Sequence, residues 1–181
     1  HAQVMTAAVE AGAKIINDVT ALTGDPNSLD AAAMSGASII LMHMRGEPGT
    51  MQDDPVYKDA ALEVRNYLSD RVGVCEATGI PRNQIAVDPG IGFGKTVAHN
   101  LDILGRLDLY QDMAVPVVLG VSRKSFISHV SSGEPPKERV AGSIAAALAG
   151  VAQGVHIVRV HDVAETRQAL AVHAAIENAI R

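Results

Sequence analysis

A glycine separates a helix-like stretch from a short apolar run at four places along the chain. These glycines are Gly12, Gly36, Gly79 and Gly154. Glycine relieves the left-handed backbone conformation in which many helices end, so each one predicts a joint between a helix and a strand. Alternating helices and strands build parallel sheets, because parallel strands need a long crossover connection. The repeat therefore predicts an α/β fold.

The runs that follow these glycines are short and apolar, as expected of buried parallel strands. A further run carries Pro116 near its start, where a missing N–H is tolerable. Strands are predicted at 14–16, 38–41, 85–87, 115–121 and 155–158. Helices are predicted at 1–11, 27–33, 56–78, 99–109, 137–153 and 163–180. The helix at 27–33 opens with capping residues, and the last helix has a hydrophobic face of Val163, Leu170, Val172, Ala175 and Ile176.

Polar side chains follow every predicted strand, at Asn17, His43, Asp88, Lys124 and Arg159. In a flavodoxin-like open sheet the site is confined to the strands beside a switch point, whereas in a barrel all strand ends meet at one mouth. The pattern therefore favours a (β/α)8 TIM barrel. Such a barrel has eight strands and this chain supplies five, beginning inside a helix. We expect residues 1–181 to be a single, N-terminally incomplete domain, with about three βα units before them in the parent protein.

Composition excludes several classes of partner. The net charge of −5 gives no footprint for nucleic acid or an anionic membrane, and no apolar run approaches the ~20 residues that span a bilayer. The single cysteine, Cys75, excludes an internal disulfide and suits the reducing cytoplasm. The His, Asp and Cys positions show no metal-ligand spacing, so no metal site is predicted within the chain.

The loop after the strand at 85–87 is the strongest candidate for a site. Asp88 ends the strand, and Pro89 and glycines at 90, 92 and 94 follow it. The phosphate-loop pattern fails because Pro89 stands where its first glycine belongs, and the spacing excludes the dinucleotide fingerprint. The glycines allow a sharp reversal and a close backbone approach. Asp88 is therefore either a ligand-binding carboxylate or a cap of the next helix.

The other strand ends offer complementary chemistry. Asn17 and Asp88 can present a planar, acceptor-rich edge to the N–H groups of a guanidinium or 2-aminopyrimidinone ring, although Asn17 can also serve a turn. Lys124 can meet a ring carbonyl or nitrogen, or can be merely solvated. Arg159 and His161 lie two residues apart and so point to one face, as a phosphate clamp or as partners of the neighbouring acids at 162 and 165.

Three further side chains are weaker candidates. His43 is expected to orient its neighbours. Met42 can pad a flat ring and Phe93 can cover a second ring at the mouth, although a lone Met or Phe is more often part of a core.

Five blocks of residues, in this order along the whole chain, resemble the dihydropteroate synthase family. They are INDV at 16–19, LMHMRGEPGTMQ at 41–52, DPGIGFGK at 88–95, GVSRKS at 120–125 and RVHDV at 159–163. The resemblance implies a (β/α)8 barrel that condenses 6-hydroxymethyl-7,8-dihydropterin pyrophosphate with 4-aminobenzoate and is the target of sulfonamides. It also implies a homodimer, and Mg²⁺ bound with the substrate pyrophosphate by a protein ligand outside this chain.

The resemblance carries over to individual residues. Lys124, Arg159 and His161 are implied to be catalytic, the last two on the pyrophosphate. The implied substrate-binding residues are Asn17, Met42, Asp88, Gly92, Phe93, Gly120, Lys124, Ser125, Arg159 and His161.

Two alternatives stay open. A pterin-binding module, like the methyltetrahydrofolate-binding domain of corrinoid methyltransferases, shares the contacts of Asn17 and Asp88 but has no use for an anion clamp at Arg159 and His161. An inactive structural or partner-binding fragment is the other, because three family loops that precede these blocks are absent from the sequence.

Overall fold

Parallel strands and helices alternate along the chain, as the glycine repeat predicts. The computed structural model describes residues 1–46 and 55–179. The strands are β1 (Ile15–Asp18), β2 (Ser38–Met42), β3 (Ile85–Asp88), β4 (Val118–Leu119) and β5 (Ile157–Val158). The α-helices are α1 (Ala2–Glu10), α2 (Ser28–Ser35), α3 (Ala60–Ala77), α4 (Val97–Leu104), α5 (Ser125–Val130), α6 (Val140–Ala152) and α7 (Val163–Ala179). Short 3-10 helices lie at Arg82–Gln84, Leu107–Met113 and Pro136–Glu138.

Each strand lies beside its neighbour in the chain. β1, β2 and β3 pair in that order, β4 pairs with β5, and a parallel bridge between Val87 and Val117 joins the two groups. A flavodoxin-like sheet reverses its strand order at a switch point, and the described strands show no such reversal. The chain forms five consecutive βα units in the arrangement of a (β/α)8 barrel, and the open-sheet alternative is wrong.

The glycine joints are confirmed. Gly12, Gly36, Gly79 and Gly154 each precede a strand and adopt positive φ, between 64° and 105°. This conformation lets the chain leave a helix and turn back towards the sheet, a step that costs glycine little because it has no Cβ.

The core lies between the helices and one face of the sheet. Ile39, Leu41, Val87 and Leu119 alternate along their strands with residues of the other face, and all four are fully buried. We call the other face the inner face. It carries Asn17 and Met42, and the register places Met42 beside Asp88. No helix in the described ranges has the length and apolar character needed to cross a membrane.

Two strand predictions were too long. The run predicted at 115–121 is β4 with only two residues, because Pro116 has no N–H to donate and Val121 already accepts from the Lys124 amide in a turn. The run at 155–158 shortens to β5, because the Val155 amide still bonds to Gly150 at the end of α6. The remaining strands agree with prediction within one or two residues.

Several helix predictions also need correction. α3 begins at Ala60 because the Asp59 carboxylate caps it by accepting from Leu62 N–H. Asn27 makes no side-chain cap on α2. The predicted helix at 99–109 starts earlier, ends at Leu104 and gives way to a 3-10 helix, and α5 was not predicted.

The hydrophobic face predicted for α7 is not buried in the structure. Val163, Val172 and Ile176 are each 56% exposed, and Thr166 is the residue of this helix that is buried. Apolar spacing indicates a face but cannot tell what covers it.

Candidate active site

The carboxylate of Asp88 stands at the centre of the inner face. It is 1% exposed; Oδ1 accepts from Gly90 N–H at 2.8 Å and Oδ2 accepts from Arg159 Nη2 at 2.8 Å. Helix α4 takes its cap from Thr96, whose hydroxyl accepts from His99 N–H. The alternative that Asp88 caps this helix is therefore wrong. Its buried charge is neutralised by Arg159 instead, as burial requires.

Arg159 reaches Asp88 by crossing the backbone of Gly120. A Cβ on Gly120 would lie 2.6 Å from Arg159 Nη2, so any side chain there would displace the guanidinium. The alternative partner Asp162 is held by Arg123, whose Nε donates to it at 3.0 Å. The alternative of an ion pair between Arg159 and Asp162 is therefore wrong.

Lys124 and Phe93 form one wall of the site. Lys124 precedes α5, and its ammonium lies 4.2 Å from the centre of the Phe93 ring, a cation–π contact. Burial lowers the pKa of Lys124, and the negative charge of Asp88 partly opposes that shift. Lys124 is therefore half-buried and held in place, so the prediction of a merely solvated lysine is wrong.

His161 is oriented by a hydroxyl that the sequence did not single out. Ser122 Oγ lies 2.9 Å from His161 Nδ1 and also accepts from the His161 amide at 3.1 Å. The ring is thereby held through Nδ1, and Nε2 is the nitrogen that can meet a ligand.

These side chains surround one cavity of about 280 Å³, a size that suits a small molecule. It carries the positive charges of Lys124 and Arg159, and the buried Asp88 carboxylate is bonded to Arg159. Its lining residues are Phe93, Gly120, Ser122, Lys124, Arg159, Val160 and His161. Such a cavity can hold an anion beside a ring that donates N–H groups to a carboxylate.

The other predicted site residues are not among those that line this cavity. Met42 is fully buried beside Asp88, and Gly92 packs on the Lys124 side chain, with 3.4 Å between a Cβ at Gly92 and Lys124 Cδ. Asn17 shares the inner face but is exposed, two strands away from Asp88. Ser125, the first residue of α5, is exposed. Neither Asn17 nor Ser125 lines the cavity. Residues 48 and 50–52 of the second sequence block lie outside the described residues.

The close approach predicted for the glycine loop is made to the protein itself. Gly90 and Gly94 have φ of 67° and 63°, and a Cβ on them would lie 2.0 Å from His43 O and 2.1 Å from Arg45 O. Asn100 of α4 supports the loop by accepting from Gly92 N–H at 2.8 Å. The loop therefore lies directly on the backbone that follows β2.

Lys95 is a second residue that the sequence did not single out. It is 2% exposed, and Nζ lies 2.9 Å from His43 Nδ1, 2.9 Å from Gly90 O and 3.0 Å from Phe93 O. Burial lowers the pKa of Lys95 to about 7 and that of His43 to about 3, so His43 is neutral and can accept at Nδ1. In the sequence, Lys95 ends the glycine loop, and a lysine at such a position is expected to lie at the surface.

The donors needed for a metal are not assembled here. Among residues 1–46 and 55–179, no three His, Cys, Asp or Glu side chains are placed to hold an ion. The described residues therefore do not fit a magnesium site of their own, and we assign no step to the ion.

Comparison with known proteins agrees with this geometry. The family described as "Pterin binding enzyme" matches residues 1–161. The dihydropteroate synthase of Escherichia coli K12 is 42% identical over 170 residues, which cover 94% of this chain and 60% of the relative. A Yersinia pestis dihydropteroate synthase structure superposes with a TM-score of 0.94 at 40% identity, covering 99% of this chain and 65% of the other. One from Xanthomonas albilineans gives 0.91 at 42% identity, covering 98% and 66%.

The chain spans about 60% of the length of the curated relatives that it matches. The family match covers far more than half of the chain and includes all the residues of the cavity. The chain belongs to the family of pterin binding enzymes.

Proposed function

We propose that the chain carries the pterin and pyrophosphate sites of a dihydropteroate synthase. The observation that carries this proposal is the buried Asp88 carboxylate, which is bonded to Arg159 of a cavity lined by Lys124, Arg159 and His161. The Yersinia pestis relative was solved with a sulfonamide drug and the Xanthomonas albilineans relative with 7,8-dihydropteroate. Both ligands are those of a synthase that joins a pterin to 4-aminobenzoate.

The geometry supports a division of labour between the two ends of the substrate. Asp88 accepts from the two N–H groups of the amino-pyrimidinone edge, as carboxylates accept from paired donors. Met42 lies beside it on the inner face. Lys124 bonds the ring, with Phe93 and Ser125 bordering the 4-aminobenzoate side. Asn17 is proposed to complete the pterin edge, from a strand end that faces the same side of the sheet.

We expect the ion pair between Arg159 and Asp88 to open when substrate binds. The ring edge needs Oδ2 of Asp88, which Arg159 now occupies. The released guanidinium then pairs with the pyrophosphate beside His161, whose ring Ser122 already orients. Arg159 and His161 therefore form the predicted phosphate clamp only when substrate is bound.

The reaction then follows from orientation and charge. The carbon–oxygen bond to pyrophosphate breaks, and the leaving group keeps the electron pair, stabilised by Arg159 and His161. The pterin-methyl cation is trapped by the arylamine nitrogen, which forms a carbon–nitrogen bond and loses a proton. Lys124 and Phe93 hold the two reactants together and exclude water.

Two further features, the oligomeric state and the cellular compartment, belong to the proposal. The expected homodimer has a candidate surface in the apolar groove between α6 and α7, about 750 Å³ in volume, which Val172 and Ile176 line. The buried Cys75 thiol, whose pKa burial raises, is unreactive and suits a cytoplasmic enzyme.

The test is a synthase assay. A parent protein that carries these residues, with the pterin pyrophosphate, 4-aminobenzoate and Mg²⁺, is expected to release pyrophosphate and form 7,8-dihydropteroate, with sulfonamide inhibition and loss of turnover in Asp88→Asn. Residues 1–181 alone are expected to lack measurable turnover. Pterin binding without pyrophosphate release would favour the methyltransferase-type module. Binding of neither substrate would favour the inactive fragment.

A further inference from the structure

Lys95 makes an unusual set of contacts for a lysine. Its ammonium is buried and offers three N–H donors to His43 Nδ1 and to the carbonyl oxygens of His43, Gly90 and Phe93, at 2.9 to 3.3 Å. Lysines are almost never fully buried unless they are paired, and an apolar side chain would fill this volume without the cost of burying a charge. The ammonium therefore serves a purpose beyond packing.

The contacts join two parts of the site scaffold. Gly90 and Phe93 belong to the loop between β3 and α4, and His43 follows β2. The same loop presses on the β2 end so closely that Gly90 and Gly94 have no room for a Cβ. Lys95 is thus the bond that holds the loop against β2, and we call its four contacts the Lys95 latch.

The latch positions the Phe93 ring, which lines the cavity, and the Asp88 carboxylate, which is bonded to the cavity-lining Arg159. The Gly90 amide donates to Asp88 Oδ1, so the latch helps to orient the carboxylate. The Phe93 carbonyl is bonded to Lys95, and the Phe93 ring contacts Lys124 on the cavity wall. Lys95 itself does not line the cavity, so its effect must pass through these residues.

We propose that Lys95 is a positioning residue, which fixes the Gly90 amide and the Phe93 ring. In this way it prepares Asp88 and Lys124 to bind the pterin, a ligand whose identity rests on the proposed function. Removing the ammonium should leave the core intact, release the loop and weaken ligand binding.

The chain offers a direct probe, because it contains two phenylalanines, Phe93 in the loop and Phe126 in the core. Labelling with fluorophenylalanine gives one ¹⁹F signal from each. In ligand-free Lys95→Met, the Phe93 signal is expected to shift and broaden while the Phe126 signal stays in place. The same change at an exposed lysine, Lys14→Met, should move neither signal.

Calorimetric titration with 6-hydroxymethylpterin supplies the functional readout. We expect an affinity loss of at least tenfold in Lys95→Met and less than twofold in Lys14→Met. If Lys95→Met does not fold, the same two measurements on Lys95→Gln test the proposal, because glutamine keeps two N–H donors without the charge. Its Phe93 signal and affinity should depart from those of the unaltered chain.

An unchanged Phe93 signal with unchanged affinity in the folded variants would overturn the latch. A chain that binds no pterin at all, yet shows the selective Phe93 response, would overturn the proposed function and leave the latch standing.

Discussion

Single residues carry the recognition chemistry, and Asp88 has the largest share. The amide of Asp88→Asn presents one acceptor and one donor where the ring edge offers two donors, which leaves a buried mismatch of about 1–3 kcal/mol. We predict a 10- to 100-fold loss of affinity for 6-hydroxymethylpterin, measured by calorimetry. Asp108→Asn, at an exposed position on a 3-10 helix, is the matched control and should bind normally. Equal affinities for Asp88→Asn and the unaltered chain would refute the assignment.

The anion end should be separable from the ring end. Arg159→Lys keeps the charge but loses the planar fork that pairs with phosphate, and His161→Ala removes the second donor. We predict that both variants lose at least tenfold in affinity for the pterin pyrophosphate while affinity for free 6-hydroxymethylpterin changes less than threefold. If both ligands weakened equally, the pair would be structural.

His43 should make the free energy of unfolding decrease in acid. Burial, with the nearby Lys95 and Arg45 charges, lowers the pKa of His43 from 6.5 to about 3 in the folded chain. As the pH falls, the unfolded chain therefore binds a proton at His43 before the folded chain does. The contribution of His43 to the free energy of unfolding is complete above pH 6.5 and is lost as the pH falls towards 3, by up to about 1.4 kcal/mol per pH unit. In urea unfolding between pH 6.5 and 4.5, His43→Gln should flatten this slope. His129→Gln, which alters an exposed histidine, should retain it.

At the scale of elements, the loop after β3 decides the geometry of the site. Gly90→Ala puts a Cβ 2.0 Å from His43 O in a left-handed conformation, whereas Gly36→Ala has a similar φ with no atom within 4 Å. We expect Gly36→Ala to cost about 1–2 kcal/mol, the left-handed penalty alone.

Gly90→Ala should cost at least about 2 kcal/mol more than that, because backbone must move, and should also weaken pterin binding. Chemical unfolding of the two variants measures the difference. Similar free energies of unfolding would show that the loop is not pressed against β2.

The sequence predicted the elements better than their contacts. Four glycine joints and the convergence of polar strand ends followed from local rules, because helix ends and strand ends have residue preferences of their own. Three features escaped: the Arg159–Asp88 pair, the Ser122–His161 contact and the buried Lys95. Each joins residues far apart in the chain, and no local pattern says which distant partner a charged side chain will meet.

For the whole molecule, the order of strands is what makes a site. Because β1 to β5 lie in chain order, their ends bring Lys124, Arg159 and His161 to one cavity and Asp88 into contact with Arg159. The exposed apolar residues of α7 show what a sequence pattern cannot predict at this scale. An apolar stripe on a helix indicates a face that favours burial, but it does not indicate which part of the protein packs against that face. The expectation of a single, N-terminally incomplete domain stays a prediction.

The central claim is that a pterin takes the place of Arg159 on Asp88. A crystal structure with 6-hydroxymethylpterin pyrophosphate, in the absence of 4-aminobenzoate, tests it most directly. We predict that the amino-pyrimidinone edge lies on Asp88 and that the Arg159 guanidinium has moved from its present 2.8 Å contact to the pyrophosphate beside His161. A ligand bound elsewhere, or one bound with the Arg159–Asp88 pair intact, would contradict it.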